Sequence, residues 1–226
     1  MTSVVRVRWA EPDAADEAVA GLDPGERARL NRLRQPADRA RFVTSRALLK
    51  ALVASLADVP ASSVRLGYEC ARCGADHGKP CVVWPSAATA WQVSLAHAGN
   101  RVLVAAARDR PVGVDVEPIE AVGFDGFAAV ALTAAEVRTI EKLPDPERLR
   151  ARASAWVRKE AALKASGTGL TVDARDIESA SPATGVVVRD LGVGPGYSAA
   201  VAGLTSTPFD VDCSELRRPL PAGPAG

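Results

Sequence analysis

Apolar and polar residues alternate from the start of the chain, where Val5, Val7 and Trp9 interleave with Arg6 and Arg8. That period of two predicts a half-buried first strand. After Pro36-Ala37-Asp38 the period lengthens, and Phe42, Leu49, Leu52, Val53 and Leu56 give one apolar side to a long predicted helix. Val64, Leu66 and Tyr68 predict a strand, and Trp91, Val93, Leu95 and His97 share one face of another. The run Val102-Leu103-Val104-Ala105-Ala106-Ala107 is apolar on both faces, as in a central strand, and Pro111 separates it from a strand at 112–117.

The second part of the chain reopens with a capping box, Thr133-Ala134-Ala135-Glu136. Asp145 as N-cap with Pro146 at the first helical position predicts a helix running to about Ser166. Its buried stripe is Leu149, Ala153, Trp156 and Leu163, and Gly167 and Gly169 end it. Strands follow near 185–189, 197–202 and 208–211, and the tail from Leu216 reads as disordered. Each part is thus a long helix followed by short strands, and Asn100–Ala106 has a weak cousin in Gly196–Ala202. The expectation is an α+β protein of two similar subdomains related by a pseudo-twofold, each with a long helix on a small antiparallel sheet. The expected division is 1–112 and 113–213, with a tail at 214–226.

Composition narrows the partners. In 226 residues, 47% hydrophobic and 24% charged content is that of an ordinary globular protein. A formal net charge of +1 supplies no general pull toward nucleic acid or an anionic membrane, so any anion site must be local. The N-terminus lacks a signal-peptide succession and no apolar run approaches the ~20 residues of a membrane span. The expected localisation is cytoplasmic, with no membrane or nucleic-acid partner. No Rossmann glycine fingerprint or P-loop is present.

Two segments carry the candidate chemistry. In Gly113-Val114-Asp115-Val116-Glu117, strand alternation sends Asp115 and Glu117 to one face and the valines to the other. In Trp156-Val157-Arg158-Lys159-Glu160-Ala161-Ala162-Leu163-Lys164, Glu160 and Lys164 are four apart and share a helix face. Acids interleaved with core residues suit a hard cation, which takes oxygen ligands and leaves room for a substrate phosphate.

These two segments resemble the signature motifs of the 4′-phosphopantetheinyl transferases: a glycine-containing strand with Asp-x-Glu, then an aromatic-x-x-Lys-Glu-Ala-x-x-Lys helix ending in glycine. Gly78-Lys79-Pro80 and Val93-Ser94-Leu95-Ala96-His97-Ala98-Gly99 are similar to further motifs of the long, pseudo-dimeric branch typified by the surfactin-synthetase activator. The resemblance covers approximately residues 25–205.

It implies a monomeric enzyme that moves the phosphopantetheine arm of coenzyme A to a serine of an apo carrier protein (acyl, polyketide or peptidyl), releasing adenosine 3′,5′-bisphosphate. By the resemblance Asp115, Glu117 and Glu160 hold Mg²⁺. Glu160 is the first choice for the base, Glu117 the alternative, and Lys164 steadies the leaving phosphate. Arg41, Arg46, Lys79, Pro80, His97, Lys159 and Lys164 are the implied coenzyme contacts. Where the family has serines on both sides of its histidine, this chain has Ala96 and Ala98. Trp156 and Tyr197 read as packing residues. The segment 122–132 is apolar enough either to dock a carrier helix or to be core.

Cys70, Cys73, His77 and Cys81 have the ligand number for tetrahedral zinc, or are incidental thiols of a loop that carries Lys79. Two other functions stay open at this level. One is a non-catalytic relative that binds coenzyme A or carrier protein, and the other a zinc-knuckle nucleic-acid-binding module.

Overall fold

The computed structural model of the chain describes residues 4–13, 16–70, 73–108, 110–169 and 172–216. The expected first strand is β1 (Val4–Ala10), and Val5 and Val7 are wholly buried. Helices α1 (Asp16–Ala20) and α2 (Pro24–Arg32) follow, the second opened by an Asp23–Glu26 capping box. The long helix α3 spans Pro36–Ala57 and ends where Asp58 turns left-handed at φ 53°. Its Leu48, Leu49, Leu52 and Val53 pack on Val93, Val102, Val104 and Ala106. Each such leucine removed from water contributes roughly 1.5–3 kcal/mol, which seats α3 on the sheet.

That sheet holds β2 (Arg65–Glu69), β3 (Asp76–Trp84), β4 (Trp91–Ala98) and β5 (Arg101–Arg108). Among the described residues its order is β2-β3-β4-β5-β1-β9, where β9 is Asp210–Glu215. The residues around Gly78-Lys79-Pro80 are therefore a strand and not the loop expected from the cysteine-rich sequence. Backbone pairing of β3 with β2 and β4 supplies what hydrophobic periodicity did not.

The second sheet is β6 (Val112–Pro118), β8 (Tyr197–Leu204) and β7 (Val186–Asp190), with β8 in the middle. The apolar run of β5 and its sequence cousin in β8 are both interior strands of their sheets. Between β6 and β7 come α4 (Phe127–Ala131), α5 (Ala134–Ile140) and α6 (Glu147–Ser166). The Thr133–Glu136 capping box forms as expected. Helix α6 starts later than expected: Pro146 is its N-cap, and the Asp145 carboxylate accepts from Arg148 instead of capping the backbone. Gly167 at φ 74° ends it, as its position predicts.

Two departures concern the C-terminal part. Strand β9 runs parallel to β1 at the margin of the first sheet, so the chain returns across the expected division at 112/113. Leu216 donates its N–H to the Trp9 carbonyl at 2.8 Å, and so belongs to that sheet rather than to a disordered tail. Residues 217–226 lie outside the described residues. No helix among the described residues is long and apolar enough to cross a membrane.

The second sheet meets the first through β6. Val112, Val114 and Val116 join Val5, Val7, Ala96, Leu103, Ala105 and Ala107 in one apolar cluster between the sheets. The Val114 N–H donates to the buried Ser94 Oγ at 3.1 Å, which ties the β6 backbone to β4.

Candidate active site

Because the valines of β6 face the first sheet, alternation turns Gly113, Asp115 and Glu117 toward α6. Gly113 shows how near the helix lies: a Cβ there would be 2.0 Å from the Ala161 carbonyl oxygen and 2.4 Å from the Ala165 nitrogen. The helix offers small residues in return, with Ala161, Ala162 and Ala165 packed on Ala200 and Ala202 of β8. This close fit brings the two sequence motifs together. Lys164 Nζ lies 2.5 Å from Asp115 Oδ1.

Three acids gather around that lysine. Burial pushes the Asp115 carboxyl above its usual range, opposed by Lys164. Burial also raises Glu160, with the Asp115 charge adding to it. Glu117 is lifted by burial, Asp115 and Glu160 to about 6. Asp115 Oδ2 and Glu160 Oε1 are buried without a hydrogen-bond partner. Buried carboxylate oxygens carry a desolvation cost that a bound partner would offset. Two unpartnered oxygens among mutually repelling acids fit a hard divalent cation. Among the described residues, however, no group of three or more His, Cys, Asp and Glu is already gathered as a metal cage.

The first sheet contributes a basic cluster. His97 stands at the end of β4 on the α3 side. Its pKa is lowered by burial and by the charges of Arg41, Arg46 and Lys164. Arg41 is held by Asp38 Oδ1 at 2.6 Å and by the Gly99 carbonyl at 3.1 Å. Lys79 reaches from β3 to the Ala165 carbonyl, 3.4 Å away at the end of α6, and burial lowers its pKa to about 8. Pro80 beside it is half-buried. Arg41 and Lys164 thus both lie within electrostatic reach of His97. Lys79 meets the helix that carries Glu160 and Lys164.

Two sequence-level assignments change. Lys159 is fully buried and makes no coenzyme contact: its Nζ donates to Glu136 Oε2 (2.5 Å), the Ala131 carbonyl (2.6 Å) and the Ala174 carbonyl (2.9 Å). An ammonium has three donors, and all are used. On Glu136, burial acts upward but hydrogen bonds from Lys159 and Ser179 outweigh it and hold the carboxyl low. Arg46 is 5% exposed, its guanidinium 4.3 Å from the Phe42 ring centre and 4.8 Å from that of Tyr68. It acts on His97 as a buried charge and not as an open phosphate fork. Lys50, one turn further, is likewise buried against Glu26 at 2.5 Å.

Other residues matter more than sequence suggested. Trp156 packs edge-on against Phe127, but it also lies close enough to Glu117 to oppose the upward shift there. Its place in the second motif was the one available signal. The alanines beside His97 have a packing reason, since Ala96 and Ala98 pack in the apolar cluster between the sheets. Of the proposed zinc ligands, Cys81 is exposed and its Sγ approaches the Gly67 carbonyl at 3.5 Å. The side chain of His77 lies outside the described residues.

Comparison with known proteins adds the following. The family model described as the 4′-phosphopantetheinyl transferase superfamily matches residues 111–201, a span containing β6, α6 and most of β8. The chain is similar to the 4′-phosphopantetheinyl transferase HetI of Nostoc sp., with 28% identity over 167 residues, which are 73% of this chain and 68% of that protein. It is also similar to a phosphopantetheinyl transferase of Thraustochytrium sp., with 32% identity over 113 residues, 50% of this chain and 37% of the relative.

Proposed function

We propose that this chain, a member of the 4′-phosphopantetheinyl transferase superfamily, transfers the phosphopantetheine arm of coenzyme A to a carrier-protein serine. The observation that carries the reading is the meeting of β6 and α6, where Lys164 pairs with Asp115 and Glu117 and Glu160 feel the charge of both. The serine oxygen bonds to the phosphorus that bears the pantetheine arm. The bond from that phosphorus to the pyrophosphate bridge breaks, and adenosine 3′,5′-bisphosphate leaves.

Glu160 takes the hydroxyl proton. Its Oε1 is buried without a hydrogen-bond partner, so it has an oxygen to accept with. Glu117 remains the second candidate, because a carboxyl near 6 is poised for proton transfer at neutral pH. Asp115, Glu117 and Glu160 would hold Mg²⁺, which when bound supplies charge neutralisation for the reacting phosphates. Lys164 turns from Asp115 toward the departing phosphate. Lys79, Pro80, His97 and Arg41 bind the nucleotide end of the coenzyme, with Arg46 adding its field from within the core.

The carrier docks on the segment after β6. There Phe124 (54% exposed) and Val130 (60%) face solvent, while Phe127 (4%) is core. This division supports both alternatives the sequence left open for 122–132, at different residues. The enzyme is of the long branch and works as a monomer.

The test is mass spectrometry of apo carrier proteins incubated with coenzyme A, Mg²⁺ and the chain. A phosphopantetheine adduct is expected, with adenosine 3′,5′-bisphosphate as co-product, and Glu160→Gln should slow its formation about 100-fold or more. No adduct across acyl, polyketide and peptidyl carriers, with tight coenzyme A binding retained, would favour the non-catalytic relative instead.

A further inference from the structure

The turn between β4 and β5 is held from both sides by residues distant in sequence. From the first half, Arg41 Nη1 donates to the Gly99 carbonyl at 3.1 Å. From the second sheet, the Tyr197 hydroxyl accepts the Asn100 N–H at 2.8 Å. The fit leaves no slack, because a Cβ on Gly99 would lie 2.5 Å from the Tyr197 oxygen and 3.2 Å from Pro118 Cγ. Gly99 also sits at φ +51°, a backbone region that a glycine adopts without strain.

Tyr197 is itself fixed. It pairs with Pro118 at the end of β6, directly beyond Glu117, and its ring lies 4.8 Å from the Arg101 guanidinium. The Arg101 guanidinium also lies 4.9 Å from the Trp9 ring centre, and its Nε donates to the Val193 carbonyl at 2.8 Å.

We infer that Tyr197 is a positioning residue for the coenzyme's anionic end: through the 99–100 turn it holds Arg41 and His97 in place relative to the carboxylate cluster. The inference rests on the transferase reading and deepens it. His97 is two residues before Gly99, and Arg41 is anchored on the Gly99 carbonyl. The basic cluster of the first sheet is therefore set by a hydroxyl from the strand that pairs with the catalytic β6. The Tyr197 oxygen thus registers the 99–100 turn, and Arg41 on it, against the end of β6.

Tyr197→Phe keeps the ring and its stack on Arg101 and removes only the oxygen. Calorimetry on the full chain should show the dissociation constants of coenzyme A and of adenosine 3′,5′-bisphosphate rising together by roughly threefold to tenfold, the range for one lost hydrogen bond. KM for coenzyme A should follow, with kcat within about twofold, since the hydroxyl touches no reacting atom. Exchange of the Asn100 amide should quicken in the same variant, a readout independent of catalysis. Gly99→Ala should also weaken coenzyme binding, and adding Tyr197→Phe to it should recover part of the loss by removing the oxygen that the new methyl meets.

Faster Asn100 exchange with unchanged affinity for both ligands overturns the inference, as does a fall in kcat without a change in KM. A parent protein that binds coenzyme A but transfers nothing defeats the transferase reading and leaves the affinity test standing. A parent that does not bind coenzyme A defeats both.

Discussion

On the proposed function, two side chains set the pH range in which the site is competent. Glu117, raised to about 6, is protonated below that pH and then cannot serve a cation or accept a proton. Lys79, lowered to about 8, loses its charge above that pH and its attraction for phosphate with it. We expect kcat/KM for coenzyme A to be bell-shaped, with limbs near pH 6 and pH 8, and Lys79→Arg to push the alkaline limb upward because a guanidinium stays charged. A flat profile between pH 5 and 9 would contradict both assignments. The same shift has a stability consequence. A carboxyl whose folded-state pKa lies above its ordinary 4.5 binds its proton more tightly when folded, so stability falls as pH rises from about 4.5 to about 6. Glu117 is only half-buried and water screens the penalty, which leaves about 1 kcal/mol at most. Glu117→Gln should raise the melting temperature at pH 7 by about 2–4 °C and leave it nearly unchanged at pH 4.5, while transfer collapses. Thermal unfolding at the two pH values checks it. Sequence marked these residues by type and spacing. It did not mark which were spent: Lys159 stands beside Glu160 in the motif, yet its three donors are bound to groups 15 to 28 residues away.

At the level of elements, the site depends on how closely α6 lies on β6. Gly113 has an explanation that reaches beyond turn chemistry, since any side chain there meets helix backbone, which cannot rotate away. Gly113→Ala should therefore lift α6, at a cost of about 1–3 kcal/mol in denaturant unfolding, and separate Lys164 from Asp115. Transfer activity should fall much further than stability. Wild-type activity in that variant would mean that the close approach is not required. Element types were legible wherever the hydrophobic period was clear, as in β1, α3, β5 and α6. The short helices α1, α2 and α4 went unread, as did β3, whose Gly78, Pro80 and clustered cysteines obscure any alternation; partners in β2 and β4 make it a strand.

For the whole molecule, what matters is how the second sheet seats on the first. Ser94 is one seat, with its buried hydroxyl taking the Val114 N–H. Ser94→Ala should leave that N–H without a partner and cost about 1–3 kcal/mol, measurable by urea unfolding. A variant as stable as the parent would show that the contact between the sheets is apolar alone. The return of β9 to pair with β1 has the same integrating effect, and no local pattern announces it, because pairing partners 206 residues apart leave no periodicity in the chain. The sequence by itself determined the chemistry on offer: three acids, a lysine and a histidine, each on a helix or strand whose period set the direction of its side chain. Tertiary structure alone decided which of those charges stay available. It buried Lys159, Lys50 and Arg46 in structural contacts and brought the Tyr197 hydroxyl to the turn after His97. The physical reason is that periodicity reports which face of an element is covered, whereas an ion pair or hydrogen bond depends on what covers it.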